Sequence, residues 1–264
     1  MKKSDINPLC KFLKPALDLA ITLLLWSYYT LGYIVFFSPF YLTAYLFSKN
    51  REHSFQRLNH KFYKGFFALA RIFIPKIKWH IPQDVLGIRS AVIVCNHISY
   101  LDSILMISLF ERHKTIVKSR FFKIPIFRQV IELSGYIPST ADGRLSDLII
   151  RNMEEMDQYL ASGGILFTFP EGTRSRDGTI GPLNQGAFKI ARLCKKPIKV
   201  LFVRNTNRLF QPGKFLFNTC SGDAITVDLL ASIEPDYHGG RASVSKLIRQ
   251  VRSLFEAQQA KSAS

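Results

Sequence analysis

The chain predicts an α/β domain over residues 81–264, a sheet flanked by helices, preceded over residues 1–80 by an N-terminal membrane-associated helical hairpin. Three observations carry this expectation. Residues 19–48 hold no charged side chain and are strongly apolar. Beyond Pro82, short apolar runs alternate with stretches of helical period, the signature of strands and helices packed in layers. The length, 264 residues, suffices for one sizeable core plus a membrane element but is short for two full enzyme domains.

Taken in order, residues 19–48 would extend about 45 Å as one helix at 1.5 Å per residue, against a hydrocarbon core of about 30 Å. One upright span does not use that length, and Gly32, Ser38 and Pro39 offer places to bend it. Both flanks are basic, with Lys2, Lys3, Lys11 and Lys14 before and Lys49, Arg51, Arg57, Lys61 and Lys64 after. The charge asymmetry that orients a single crossing is absent. A hairpin dipping into one leaflet, both ends cytoplasmic, explains the symmetry. A secretory signal and a buried core hairpin are the competing readings; the stretch is far longer than a signal's apolar region and lacks a small-residue cleavage site.

Residues 50–80 interleave Phe62, Phe66, Phe67, Leu69, Ile72 and Phe73 with Arg57, Lys61, Lys64 and Arg71, the pattern of a basic amphipathic helix that Pro75 ends. Its apolar face can lie on lipid or pack on the following domain; the pattern serves both. Strands are expected at 91–95, 115–118, 136–138, 164–169, 198–203 and 224–229. Helices are expected at 102–111, 144–161, 185–195 and 242–258, with a frayed tail over 258–264.

A net charge of +17 and a pI near 9.9 require an acidic partner, either nucleic acid or an anionic lipid surface. The 22 phenylalanines, many of them before residue 75, favour lipid. No zinc-finger spacing, aromatic RNA-binding signature or helix-turn-helix pattern is present, so nucleic acid is not an expected partner. Cys10, Cys95, Cys194 and Cys220 lie far apart with no C-x-x-C, so neither a disulfide framework nor a metal site is expected. Cys95 adjoins Asn96-His97 and has the position of a nucleophile. Its place at the end of the apolar run 91–94 fits a buried strand residue better.

The chemistry lies in two blocks. In Asn96-His97-Ile98-Ser99-Tyr100-Leu101-Asp102, the histidine follows a buried strand and precedes a helix. On one continuous helix a spacing of five would point the two side chains apart, but with His97 ahead of the first helical residue Asp102 can curl back to accept an imidazole N–H. A carboxylate so placed fixes the tautomer and favours the imidazolium that forms on proton uptake. This is the histidine–carboxylate part of a hydrolase triad without a protein nucleophile, so an acceptor hydroxyl takes the nucleophile's place. A plain capped helix N-terminus is the bland reading.

The second block is Phe169-Pro170-Glu171-Gly172-Thr173-Arg174-Ser175. Gly172 permits a tight turn that frees backbone N–H groups for an anion. Arg174 can fork onto phosphate oxygens, with Thr173 and Ser175 as weaker donors. Glu171 is expected to hydrogen-bond an acceptor hydroxyl or to position Arg174. An exposed turn with an ion pair is the alternative. Lys118, followed by Ser119-Arg120, is either a further anion contact or part of a membrane-facing patch with Lys123 and Arg128 around Phe121, Phe122 and Phe127.

In this order on strand ends, the blocks resemble those of the 1-acylglycerol-3-phosphate acyltransferase (lysophospholipid acyltransferase) family. Its N-H-x4-D and F-P-E-G-T-R-S blocks match here residue for residue, and the similarity spans residues 88–203. The resemblance implies a single glycerolipid-acyltransferase-like domain with a central mixed sheet. It further implies an enzyme that moves a fatty acyl chain from acyl-CoA or acyl carrier protein to a lysophospholipid hydroxyl, 1-acylglycerol-3-phosphate giving phosphatidic acid. No cofactor is implied. On this resemblance His97 is the general base and Asp102 its orienting partner, while Glu171, Gly172, Thr173 and Arg174, with Lys118 and Arg144, bind substrate. The implied partners are anionic membrane lipids, the lysolipid acceptor and the acyl donor, at the cytoplasmic face of the bacterial inner membrane.

Two departures stand out. The family's middle block runs G-x-I-F-I-D-R, whereas Gly135-Tyr136-Ile137-Pro138-Ser139-Thr140 leads to Ala141, and Arg144 arrives three positions late. Val200 stands where the late block tends to carry a proline. A different acceptor, such as a lyso-aminolipid or a polyketide-derived lipid, is the alternative these departures motivate. A non-catalytic membrane-binding protein is the other, against which the intact His97 and Asp102 speak.

Overall fold

The structure, a computed structural model, describes residues 8–141, 143–175, 179–237 and 243–263; the side chains of residues 8–12, 126, 144, 262 and 263 lie outside the described set. Helix α1 (Pro8–Ser27), a π-helical stretch (Tyr28–Phe37) and α2 (Ser38–Phe47) follow one another without a break. Within them Leu13–Phe47 is long and apolar enough to cross a membrane. The chain then turns at residues 48–50, and α3 (Arg51–Phe73) returns along the rod, pairing Phe55 with Tyr41 and Phe62 with Tyr28. Asn50 caps α3 by accepting from the His53 N–H at 2.9 Å.

The hairpin's turn therefore differs from the expected bend at Gly32, Ser38 and Pro39. The backbone explains the difference. The Ser38 N–H reaches back five residues to the Tyr33 carbonyl, a widened turn, and Pro39 sits at the start of α2, where a missing N–H costs little. The proline is thus absorbed without breaking the rod.

Much of the apolar face of α3 packs on the domain and the rod, while Ile72 and Phe73 at its end stay exposed. Phe66, Phe67 and Ala70 join one cluster with Ala91, Ile93 and Cys95. Phe55 and Phe62 are also buried, packed against the rod's aromatic rings.

The domain continues through β1 (Trp79–His80), α4 (Gln83–Leu86), β2 (Ala91–Cys95), α5 (Leu101–Leu109) and β3 (His113–Val117). A 3-10 turn (Ser119–Lys123), α6 (Pro125–Leu133), β4 (Ile137–Pro138), α7 (Arg144–Glu154), α8 (Met156–Ala161) and β5 (Ile165–Thr168) follow. The last elements are α9 (Gly186–Leu193), β6 (Ile198–Arg204), α10 (Thr206–Leu209), β7 (Ile225–Ile233) and α11 (Val244–Ala263). The seven-stranded sheet has the order β1-β7-β6-β2-β5-β3-β4. All neighbours are parallel except β6 and β7, which makes the sheet mixed as expected.

Strand β2 lies at the centre with every residue buried. Its alternating side chains divide the core: Ala91, Ile93 and Cys95 face the cluster containing α3 and α5, while Val92 and Val94 face the cluster containing α9 and α11. Because β2, β5, β3 and β4 run parallel, their C-terminal ends share one edge of the sheet. Both motifs leave the sheet there.

Several expectations shift. The basic stretch 118–128 forms the 3-10 turn and the start of α6, with Pro125 at a helix N-terminus, where its missing N–H is tolerated. The helix expected over 144–161 is divided at Glu155. Residue 242, the expected start of the last helix, lies outside the described residues, and α11 runs to Ala263 instead of fraying from 258 because Leu247, Val251 and Phe255 bury its inner face.

Candidate active site

The end of β2 is fixed by Asn96. Its carboxamide donates to the Val203 carbonyl at 2.9 Å and accepts from the Val203 N–H at 2.7 Å, continuing the β2–β6 ladder through a side chain. The backbone can then leave the sheet, and His97 faces the edge. Its ring stacks on Phe169 at the end of β5, centroids 4.2 Å apart.

Asp102, in the first turn of α5, curls back as the spacing suggested. Its Oδ2 lies 2.9 Å from His97 Nδ1 and also accepts from the N–H groups of Ile98 at 2.7 Å and Ser99 at 2.8 Å. Its Oδ1 accepts from the Thr206 hydroxyl at 2.5 Å. The carboxylate is 0% exposed and the imidazole 14%. A buried carboxylate on Nδ1 leaves Nε2 as the nitrogen able to take a proton.

Glu171 ties the second block to the first. Its Oε1 accepts from the His97 N–H at 3.1 Å and its Oε2 from the Gly181 N–H at 3.2 Å. Burial pushes its carboxyl above the usual range, while these bonds pull the other way. The Ser175 N–H returns a bond to the His97 carbonyl at 2.8 Å. The two motifs are thus laced together through backbone groups around His97.

Gly172 adopts φ +67, where a side chain is strained, and an added Cβ would lie 2.9 Å from Asn184 Nδ2. Its own N–H donates to the Phe169 carbonyl at 2.9 Å, so the anion-facing role expected of that group is not available to it. The turn serves instead to aim Arg174. That guanidinium lies over the Tyr100 ring, 3.2 Å from the centroid, and its Nη1 is buried with no hydrogen-bond partner among the described residues. The side chain as a whole is half-buried, and an oxyanion from outside would meet its accessible edge rather than Nη1.

A family model described as Acyltransferase matches residues 76–203, which hold both motifs and the strands that carry them. Residues 76–203, just under half of the chain, match this acyltransferase family. It is 36% identical over 124 residues to a chloroplastic 1-acyl-sn-glycerol-3-phosphate acyltransferase of Brassica napus, covering 46% of this chain and 35% of that protein. It is 26% identical over 194 residues to the 1-acyl-sn-glycerol-3-phosphate acyltransferase of Salmonella typhimurium, covering 72% of this chain and 76% of that one. The chain spans well under half the length of the plant relatives it matches. The crystal structure of the 1-acyl-sn-glycerophosphate acyltransferase PlsC from Thermotoga maritima shares the fold, with a TM-score of 0.67, 21% identity, and coverage of 92% of this chain and 96% of that one.

Within the candidate site, His97, Asp102, Glu171, Gly172, Thr173 and Arg174 gather at the C-terminal edge of β2 and β5. Lys118, exposed, follows β3 on the same edge. Arg144 opens α7, and its side chain lies outside the described residues. Glu171 departs from its expected role, since both oxygens accept from backbone N–H groups and it braces His97. Thr206, Tyr100 and Phe169 escaped the sequence reading as site residues. Phe169 and Tyr100 sit inside the quoted blocks and were legible as ring neighbours, whereas nothing local marks Thr206.

Proposed function

We propose that this chain is a membrane-associated O-acyltransferase that moves a fatty acyl chain from acyl-CoA or acyl carrier protein to the hydroxyl of a lysophospholipid, with 1-acylglycerol-3-phosphate giving phosphatidic acid as the first reaction to test. The observation that carries this reading is the His97–Asp102 pair, facing the sheet edge beside Arg174. The acceptor hydroxyl gives its proton to His97 Nε2 as its oxygen attacks the thioester carbonyl carbon. The C–S bond then breaks, and the departing thiolate takes the proton from the imidazolium. Asp102 holds the ring and balances its transient charge. Arg174 binds the acceptor phosphate with the accessible edge of its half-buried guanidinium, and Glu171 keeps the two motifs in register.

Cys95 is not a rival nucleophile: burial pushes its thiol well above the ordinary range, and the sulfur packs inside β2. The apolar surface of the rod, with Leu31, Ile34, Phe36, Phe40 and Phe47 exposed, and the basic residues Lys49, Arg51 and Arg57 at its turn support docking on anionic lipid. The cytoplasmic face of a bacterial inner membrane is the proposed location.

One observation favours a second acceptor. Ala141 occupies the place of the family's arginine, and the segment before it is tied to Ser119 by the Thr140 N–H at 3.0 Å and hydroxyl at 2.7 Å. A lysolipid without phosphate, such as a lyso-aminolipid, is the alternative. The deciding experiment is acyl transfer by the detergent-solubilised protein from acyl-CoA and from acyl carrier protein to a panel of lysolipids, beside His97→Ala. Transfer to lysophosphatidate that disappears in the variant supports the proposal. Transfer only to phosphate-free acceptors replaces the substrate, and transfer that survives His97→Ala overturns the mechanism.

A further inference from the structure

Asp102 Oδ1 has a hydrogen-bond donor from outside its own motif. Thr206 is fully buried at the start of α10, 104 residues away in sequence, and donates its hydroxyl at 2.5 Å. Asn205, at φ +65, turns the chain out of β6 so that this hydroxyl reaches the carboxylate, and its amide donates to the Ala224 carbonyl at 2.8 Å. The chain beyond also returns to the first motif: the Phe210 carbonyl accepts from the Ser99 hydroxyl at 3.1 Å.

The same segment is latched to α1. Asp18 Oδ1 accepts from the Thr219 N–H at 2.9 Å and from its hydroxyl at 2.6 Å. Thr22 accepts from the Phe217 N–H at 2.8 Å. Trp26 stacks on Phe215, centroids 6.2 Å apart, and Phe217 stacks on Phe210 at 4.7 Å. A buried aspartate is costly unless its oxygens are matched, and Asp18 is matched by Lys14 and by this strap. The contacts run without interruption from α1 to the carboxylate that orients His97.

We infer that Thr206 is a positioning residue for the His97–Asp102 pair, and that α1 holds it in place through the 210–219 strap. The inference rests on the acyl-transfer reading above. Without the Thr206 hydroxyl, Asp102 Oδ1 is buried with no donor, so the carboxylate rotates and the imidazole loses its aim, although neither substrate touches Thr206. Loss of a hydrogen bond to a charged group corresponds to roughly 10- to 100-fold in rate.

The test measures kcat and KM for both substrates in wild type, Thr206→Val, Thr206→Ser, Asp18→Ala, the Asp18→Ala/Thr206→Val double variant and His97→Ala, with each thermal midpoint recorded. Thr206→Val is expected to lower kcat roughly 10- to 100-fold with both KM values within about twofold. Thr206→Ser, which keeps the hydroxyl, restores most of the rate. Asp18→Ala, which removes the acceptor of both Thr219 bonds, lowers kcat by a smaller factor, and the double variant is no slower than Thr206→Val alone, since both act on one hydrogen bond. A folded Thr206→Val with wild-type kcat overturns the positioning role. Losses that multiply in the double variant overturn the latch. If Thr206→Val does not fold, Thr206→Ala is read by the same criteria. Activity retained by His97→Ala sinks the underlying mechanism, an outcome distinct from either.

Discussion

Replacing Asp102 by asparagine removes one charge and almost nothing else. The Oδ2 position faces His97 Nδ1 and the N–H groups of Ile98 and Ser99, so the amide nitrogen is excluded there and the carbonyl oxygen must occupy it. The NH2 group then takes the Oδ1 position opposite the Thr206 hydroxyl, which rotates from donor to acceptor. The fold, the bonds to the Ile98 and Ser99 N–H groups and the imidazole tautomer all survive. What disappears is the attraction between carboxylate and imidazolium in the transition state. At about 4 Å between charge centres and an effective dielectric near 20, that attraction is about 4 kcal/mol. It corresponds to roughly a thousandfold in rate. The His97 ring is 14% exposed, so water screens part of it, and a kcat loss of about 10²- to 10³-fold is the expected result. KM for either substrate should stay within about threefold, because neither reaches Asp102. Steady-state acyl transfer by Asp102→Asn, beside a thermal melt to confirm folding, measures this directly. A folded variant with kcat within fivefold of wild type would refute the reasoning and reduce Asp102 to a brace for the loop ahead of α5.

Three further outcomes follow from the same geometry. Glu52→Gln strands Lys114, which is buried beside Glu52 at 3.0 Å, Asn152 at 3.2 Å and the Tyr159 ring; a loss of about 3 kcal/mol in urea unfolding is expected, and a loss under about 1 kcal/mol would show that the ammonium finds another partner. Burial holds His113 at a pKa of about 3, against 6.5 for the ordinary group, so the unfolded chain binds the extra proton between those values. Its contribution to stability is complete above pH 6.5 and is lost as the pH falls toward 3. His113→Gln should reduce that acid slope by about one proton in unfolding curves taken from pH 7 to 4, and an unchanged slope would count against the buried neutral ring. Arg174→Lys gives up both the stack on Tyr100 and the guanidinium fork; KM for a phosphate-bearing acceptor should rise about tenfold with kcat little changed, whereas an equal fall in kcat would place Arg174 at the reacting atoms.

The sequence exposes features whose cause is local. Runs such as 91–95 and 198–203 read as strands because all their residues but Lys199 face a core, and the two motifs read as chemistry because their reactive groups are neighbours in the chain. What stayed hidden depends on partners far away. Strand β1 has only two residues, Trp79 and His80, and exists because Ile225 and Thr226 pair with them. Lys114 lies in an ordinary-looking run, His113-Lys114-Thr115-Ile116, and its burial requires Glu52, Asn152 and Tyr159 from three other elements. Glu171 was read by its charge alone, as a group seeking substrate or arginine. Two backbone N–H groups brought to it by the turn decide its role instead. Gly32 and Pro39 carry genuine bending signals, but a π-helical backbone accommodates both, and hydropathy does not report helix pitch.

The rod and the site meet through one apolar surface. Trp26 of α1 packs edge-on to Phe210 at 6.0 Å, and Phe210 lies 6.4 Å from Tyr100, the ring on which Arg174 rests. Tyr100 and Phe215 remain largely exposed, so apolar surface continues from the rod to the edge where His97 sits. On the proposed reading, this continuity removes a cost that a soluble enzyme for the same substrate would face. A lysolipid withdrawn wholly into water exposes its chain at about 0.8 kcal/mol per CH2. An acceptor whose chain stays at the level of the exposed rod keeps that contact while its head group reaches Arg174 and its hydroxyl reaches Nε2. On the same reading the Glu52–Lys114 pair, its lysine buried and its glutamate half-buried, ties the start of α3, the helix packed along the rod, to β3 of the sheet that carries the chemistry.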